Sequence, residues 1–124
     1  MRSSASAVSK RRSTFAAGRA AERRARWFYW LRGYRILAAN ARGGRNELDL
    51  VVRRGERLVF CEVKAKSGER FGDPFEMVGP EKQRRVRRAA EAWLAAHPEL
   101  GGLKVSFEVV ALRGAKLARL KDAF

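Results

Sequence analysis

Apolar residues along this chain recur at two spacings, and the switches between them mark out its elements. Ala17, Ala21, Ala25, Phe28 and Leu31 fall three or four apart, with Trp27 and Trp30 widening the stripe. That spacing predicts an amphipathic helix from about Ala17 to Arg32, closed by Gly33. Tyr34 to Ala38 reads as a first strand, and Asn40 to Arg45 as a glycine-containing turn. Asn46 to Val52 and Leu58 to Lys64 are β-branched and alternating, and the polar Arg53-Arg54-Gly55-Glu56-Arg57 between them predicts a hairpin. Ser67 to Gly79 is a loop. A second helix begins at Pro80, a residue suited to a first helical position, and runs to about Ala96. Its apolar face is Val86, Ala89, Ala90, Trp93 and Leu94, and its other face carries Lys82, Arg84, Arg85, Arg87 and Arg88. Gly101-Gly102 interrupts the chain before a final strand, Lys104 to Leu112. Helix, strand, hairpin, helix, strand predicts one α/β domain over residues 15–112, a mixed sheet flanked by helices. Residues 1–14 read as a disordered basic arm, and residues 113–124 as a basic tail.

The hairpin register follows from its residues. A turn at Gly55-Glu56 sets Leu48 against Val63, Leu50 against Cys61 and Val52 against Val59, making one apolar face. The other face then pairs Glu47 with Lys64, Asp49 with Glu62 and Val51 with Phe60. A one-residue slip would mix the faces. Asp49 opposite Glu62 is the anomaly, because like charges across an antiparallel pair repel. At a separation of about 5 Å and an effective dielectric near 20 the repulsion is about 3 kcal/mol. A local rule broken this plainly is expected at a functional site, and a divalent metal ion between the carboxylates would relieve it.

Composition narrows the partners. The 124 residues are 46% hydrophobic, ordinary for a globular protein, but carry a formal charge of +15. Arginine supplies most of it, which suits bidentate phosphate recognition and points to DNA or RNA ahead of a membrane surface or an acidic protein. No run is apolar enough to span a bilayer, and residues 1–14 lack the apolar core of a secretory signal. The lone Cys61 excludes an internal disulfide or a cysteine zinc cluster, is expected as a buried small hydrophobe, and makes the cytoplasm the expected compartment. His97, alone before Pro98, reads as the end of a helix.

Metal-assisted phosphodiester hydrolysis needs converging carboxylates and a cation near the attacked phosphate. Glu62 and Lys64, two apart on a strand, point the same way, so one can hold Mg²⁺ (or Mn²⁺) while the other orients water or steadies the phosphate. The Val63 carbonyl between them is a further candidate ligand. Asp49 followed by Glu62-Val63-Lys64 resembles the PD-(D/E)xK nuclease signature. With Gly18-Arg19-Ala20-Ala21-Glu22, Gly33-Tyr34-Arg35-Ile36-Leu37, Glu47-Leu48-Asp49-Leu50, Phe71-Gly72-Asp73-Pro74, Lys82-Gln83 and Phe107-Glu108-Val109-Val110, the chain from about Gly18 to Leu112 resembles the YraN-type bacterial family. That resemblance implies a restriction-endonuclease-like fold similar to archaeal Holliday junction resolvases, and a homodimer by analogy. It implies Asp49 and Glu62 as metal ligands, Lys64 as catalytic lysine, Glu22 as a third carboxylate, and Gln83 as a residue positioning water or phosphate. Asn46-Glu47 departs from the family's usual Gly-Glu, and Glu108 stands where the family often has Asp.

Plainer readings stand beside these. Glu47 facing Lys64 makes an ordinary cross-strand ion pair, and Glu22 can pair with Arg19 or Arg26 along its helix. Asp49 and Glu62 can each pair with an arginine. Trp27, Tyr29 and Trp30 are more often core than base-stacking platforms. The function expected is a metal-dependent endonuclease acting on structured or branched DNA. The alternatives are a nucleic-acid-binding module that does not cut, and a basic protein that docks on an acidic partner.

Overall fold

The computed structural model describes residues 18–65 and 78–124. The basic arm, most of the loop after Ala65 and the Phe71-Gly72-Asp73-Pro74 motif lie outside them. Helix α1 covers residues 18–30. Strands β1 (Arg35–Gly43), β2 (Asn46–Arg54) and β3 (Arg57–Ala65) precede helix α2 (Pro80–Ala95) and a 3₁₀ turn, Pro98–Leu100. Strands β4 (Lys104–Arg113) and β5 (Lys116–Leu120) complete a five-stranded sheet in the order β1-β2-β3-β4-β5. Only β3 and β4 run parallel. A parallel pair needs a long crossover, and α2 lies within it. The class is therefore α/β with a mixed sheet, as the order of elements predicts.

Three hairpin turns share one device. Gly44-Arg45, Gly55-Glu56 and Gly114-Ala115 are two-residue connections, each with its glycine at φ of +63°, +60° and +55°. Primed turns need that left-handed backbone at the first central position. The register of β2 on β3 is the expected one from the turn to Leu50 on Cys61, with Val51 on Phe60 and Val52 on Val59, but the expected pairs Asp49–Glu62, Leu48–Val63 and Glu47–Lys64 are not part of the ladder.

Both faces of the sheet are covered. Leu50, Val52, Val59 and Cys61 pack with Ala21, Ala25 and Tyr29 of α1, while Val51, Leu58 and Phe60 pack with Val86, Ala89, Ala90 and Trp93 of α2. The face that carries Val51 and Phe60 is thus roofed by α2, as strands flanking a parallel pair usually are. Leu48 joins the α2 cluster rather than the face of Leu50, so the alternation breaks at Asp49.

Four further expectations are corrected. The row Ala21, Ala25, Tyr29 meets the sheet, and Trp27, Trp30 and Leu31 are 60%, 59% and 69% exposed. At about 100° per residue Trp27 lies roughly 200° round the helix from Ala25, so its apolarity cannot reach the core. Strand β1 continues to Gly43, leaving only Gly44-Arg45 as turn. Residues expected as a tail form β5, held on β4 from Val109–Leu120 to Arg113–Lys116. Glu47 lies opposite Arg42 and 3.9 Å from it, an exposed pair on β1 rather than a partner of Lys64.

Candidate functional site

Strands β2 and β3 are paired only as far as Leu50–Cys61. One residue further, the Asp49 carboxylate accepts the Val63 backbone N–H at 2.9 Å. A side-chain acceptor here takes a backbone donor of the partner strand, and it brings Asp49 beside Glu62. Val63 therefore engages the site through its N–H. Glu62 is only 1% exposed, on the face roofed by α2. Lys82, in the first turn of α2, stands 3.5 Å from Glu62 Oε2, yet that buried oxygen accepts no hydrogen bond.

The electrostatics follow from the burial. Burial and then the Asp49 charge push the Glu62 carboxyl up to about 7, with Lys82 and Lys64 pulling the other way. Burial also raises Asp49, against the Val63 N–H and Lys82, and Glu22 adds to the rise. Two carboxyls raised chiefly by burial, with the Lys82 and Lys64 ammonium groups opposing the rise, form a site where charge is costly to bury.

From Asp49 a cleft of about 230 Å³ opens outward, lined by Arg45, Asn46, Glu47, Asp49, Lys82, Arg85 and Val86. Arg84, Arg85, Arg87 and Arg88 are all exposed on α2, but only Arg85 of the four lines the cleft. Arg87 lies over the rings of Phe107 and Phe124, at 5.1 and 5.7 Å. Lys82, expected on the phosphate-binding face, instead turns inward to Glu62. Gln83 donates its side-chain N–H to the Val78 carbonyl at 3.0 Å, tying the chain that enters α2. Glu22 receives the Asn40 amide at 2.9 Å, and Asn40 sits at φ +51°. It acts on Asp49 at longer range, and among the described residues no three Asp, Glu, His or Cys side chains converge as a metal cage.

A second polar centre was legible in the sequence only as a departure at Glu108. That side chain is fully buried on β4. It accepts Tyr29 Oη at 2.8 Å, Arg57 at 2.7 Å, and Arg119 Nε at 2.7 Å. Burial works against its charge, but the bonds from Arg119, Tyr29 and Arg57 outweigh it and hold the carboxyl below its ordinary range. Ser106 extends this network from Arg57 at 3.4 Å to Asp122 at 2.8 Å. Its members come from α1, β3, β4, β5 and the chain after β5. The centre fastens β5 and α1 to the sheet.

A family model described as "Uncharacterised protein family UPF0102" matches residues 21–112. The matched stretch holds Glu22, Asp49, Glu62, Lys64, Lys82, Gln83 and Glu108, and stops before β5. A UPF0102 protein of Bordetella avium is 44% identical over 92 residues, covering 74% of this chain and 63% of its own length. One from Frankia casuarinae is 51% identical over 78 residues, covering 63% and 65%. One from Rhizobium johnstonii is 37% identical over 115 residues, covering 92% and 93%. The chain thus spans somewhat under two thirds of the first two relatives' length, and nearly all of the third's.

Proposed function

The chain belongs to the UPF0102 family, and from that premise we propose that it is a nucleic-acid-binding, divalent-metal-dependent endonuclease that hydrolyses phosphodiester bonds in structured or branched DNA. The observation that carries this reading is Glu62 Oε2, a buried oxygen that accepts no hydrogen bond and has the Lys82 ammonium at 3.5 Å, beside Asp49 at the foot of a cationic cleft. A buried acceptor normally has a donor, and one that lacks it is suited to a cation. The fold that accompanies this reading is restriction-endonuclease-like, with Asp49 and Glu62-Val63-Lys64 in the PD-(D/E)xK pattern.

The residues fit Mg²⁺, which is commonly held by one or two carboxylates, with waters and substrate phosphate completing its shell. When bound, such an ion lowers the pKa of its water and offsets phosphate charge. The protein's own residues do the rest. Asp49 and Glu62 would hold the ion, and the Val63 N–H fixes the Asp49 carboxylate. Lys64, two residues beyond Glu62 on β3, would steady the reacting phosphate, and Arg45 and Arg85, which line the cleft, draw the backbone in. Lys82 stands at ion-pair distance from Glu62, where its charge offsets that of the carboxylate.

The test is a cleavage screen on single-stranded, duplex, flap and four-way junction DNA with Mg²⁺ and Mn²⁺. Asp49→Ala and Lys64→Ala should each lower the cleavage rate at least about a hundredfold while thermal unfolding stays cooperative. Cleavage that persists in both variants and in EDTA would end the proposal. The Lys82–Glu62 pair at 3.5 Å favours a second reading, a binding module whose own lysine supplies the cation. Tight, salt-sensitive DNA binding with no turnover in any metal would select it.

A further inference from the structure

Trp27 and Trp30 are the largest aromatic side chains that the core leaves outside. They are 60% and 59% exposed, with ring centroids 5.4 Å apart and planes at 85°. Neither belongs to a core cluster. Between them and β1, the edge strand of the sheet, lies a surface pocket of about 310 Å³ lined by Arg26, Trp27, Trp30 and Ile36. That volume is at the small end of the range for ligand clefts, about 300–1,000 Å³, and suits a planar ring rather than a folded partner. Its lining includes a cation, Arg26, and the exposed Arg23 lies one helical turn from Trp27 on the same side of α1. A second copy of this chain would bring another formal +15 onto those arginines. A ligand both aromatic and anionic meets no such opposition.

We infer that this pocket binds unpaired nucleobases of a single-stranded segment, stacked on Trp27 and Trp30 with Arg26 at the adjoining phosphate. Stacking on aromatic side chains beside cations is how sequence-tolerant single-strand binding is built. Its place relative to Asp49 rests on the nuclease reading. Glu22 and Asn40, bonded to each other near Asp49, lie eight residues before Trp30 on α1 and four after Ile36 on β1. The helical rise puts Trp30 about 12 Å from Glu22, and the strand rise puts Ile36 about 13 Å from Asn40. The two paths agree. The pocket lies on the α1 side of the sheet and the Asp49 cleft on the α2 side, so a strand that reaches both passes round the β1 edge.

The test uses the full chain in EDTA, with a 20-nucleotide oligo(dT) and a duplex of equal length as probes. Oligo(dT) should quench the exposed tryptophans, while the buried Trp93 remains as an internal reference. Trp27→Ala and Trp30→Ala should each weaken oligo(dT) binding about tenfold and change duplex binding less than about twofold. The double Trp→Phe variant keeps an aromatic face and should stay within about threefold of wild type, with circular dichroism showing each variant folded. Absent quenching, or equal losses on single strand and duplex, would overturn the inference. So would a wild-type dimer that becomes a monomer in the double alanine variant, since the face would then belong to a second copy. Because these arms need no metal, tryptophan-dependent binding without any cleavage would count against the nuclease reading alone. Cleavage that persists with unaltered oligo(dT) binding would count against the stacking site alone.

Discussion

Glu62 and Glu108 are buried carboxyls pushed in opposite directions, and the difference is in their donors. Glu108 receives Tyr29, Arg57 and Arg119, whereas Glu62 has one lysine at ion-pair distance and an acidic neighbour. The unfolded chain ionises Glu62 near 4.5, while the folded chain keeps the proton to about 7. Between those values the folded state binds more protons, so stability falls as pH rises and the loss is complete above about 7. The shift corresponds to about 3 kcal/mol. Glu62→Gln should therefore stabilise the metal-free protein by up to about that amount at pH 8 and change little below pH 5, read from urea unfolding at both. An equal gain at both values would mean that charge burial is not the cause. Glu108 has the reverse sign: its depressed pKa contributes stability above the ordinary carboxylate range, lost as pH falls through the folded value. Glu108→Ala strands two arginines and the Tyr29 hydroxyl, and should cost about 3–5 kcal/mol at neutral pH in the same measurement.

At the scale of elements, the docking of β1 on α2 turns on Gly43. A Cβ there would fall on the Ala89 carbonyl of α2, well inside van der Waals contact. Neither backbone is a flexible side chain that can swing away. Gly43→Ala should cost about 3 kcal/mol, as overpacking at a rigid contact does, and lower the thermal midpoint with the unfolding still cooperative. If the midpoint holds, the helix is free to lift from the sheet. The sequence shows the β2–β3 register because a slip there would bury Glu62 against Leu50. It shows α2 because its apolar row and its arginines lie on opposite sides. It hides β5 because Lys116 and Arg119 look like tail, although Gly114-Ala115 repeats the turn of the other two hairpins. It misplaces α1 because two exposed tryptophans outweigh, in apolarity, the alanine row that meets the sheet. Asp49, Glu62 and Lys64 stand out from local spacing alone. Lys82 at Glu62, and three separate elements meeting at Glu108, depend on tertiary packing that spacing does not encode.

For the whole molecule, a formal charge of +15 guarantees attraction to polyanions but not a single binding track. The placement of the arginines makes the track testable. Arg85 lines the Asp49 cleft, and Arg84 and Arg88 are exposed on the same helix. Arg87 is engaged differently, lying over Phe107 and Phe124 beneath the C-terminal residues. On duplex DNA each phosphate contact contributes about 0.9 to the slope of log K against log salt, through released counterions. Arg84→Ala, Arg85→Ala and Arg88→Ala should each flatten the slope by about 1, and the triple variant by about 3. Arg87→Ala should leave the slope unchanged and lower stability by about 0.5–1 kcal/mol, the usual worth of an exposed cation–π contact. Fluorescence anisotropy on a labelled duplex across a salt series reads the slope, and thermal unfolding reads the stability. A slope that ignores the first three arginines but answers to Arg87 would move the DNA from the cleft to the face of β4 that carries Phe107.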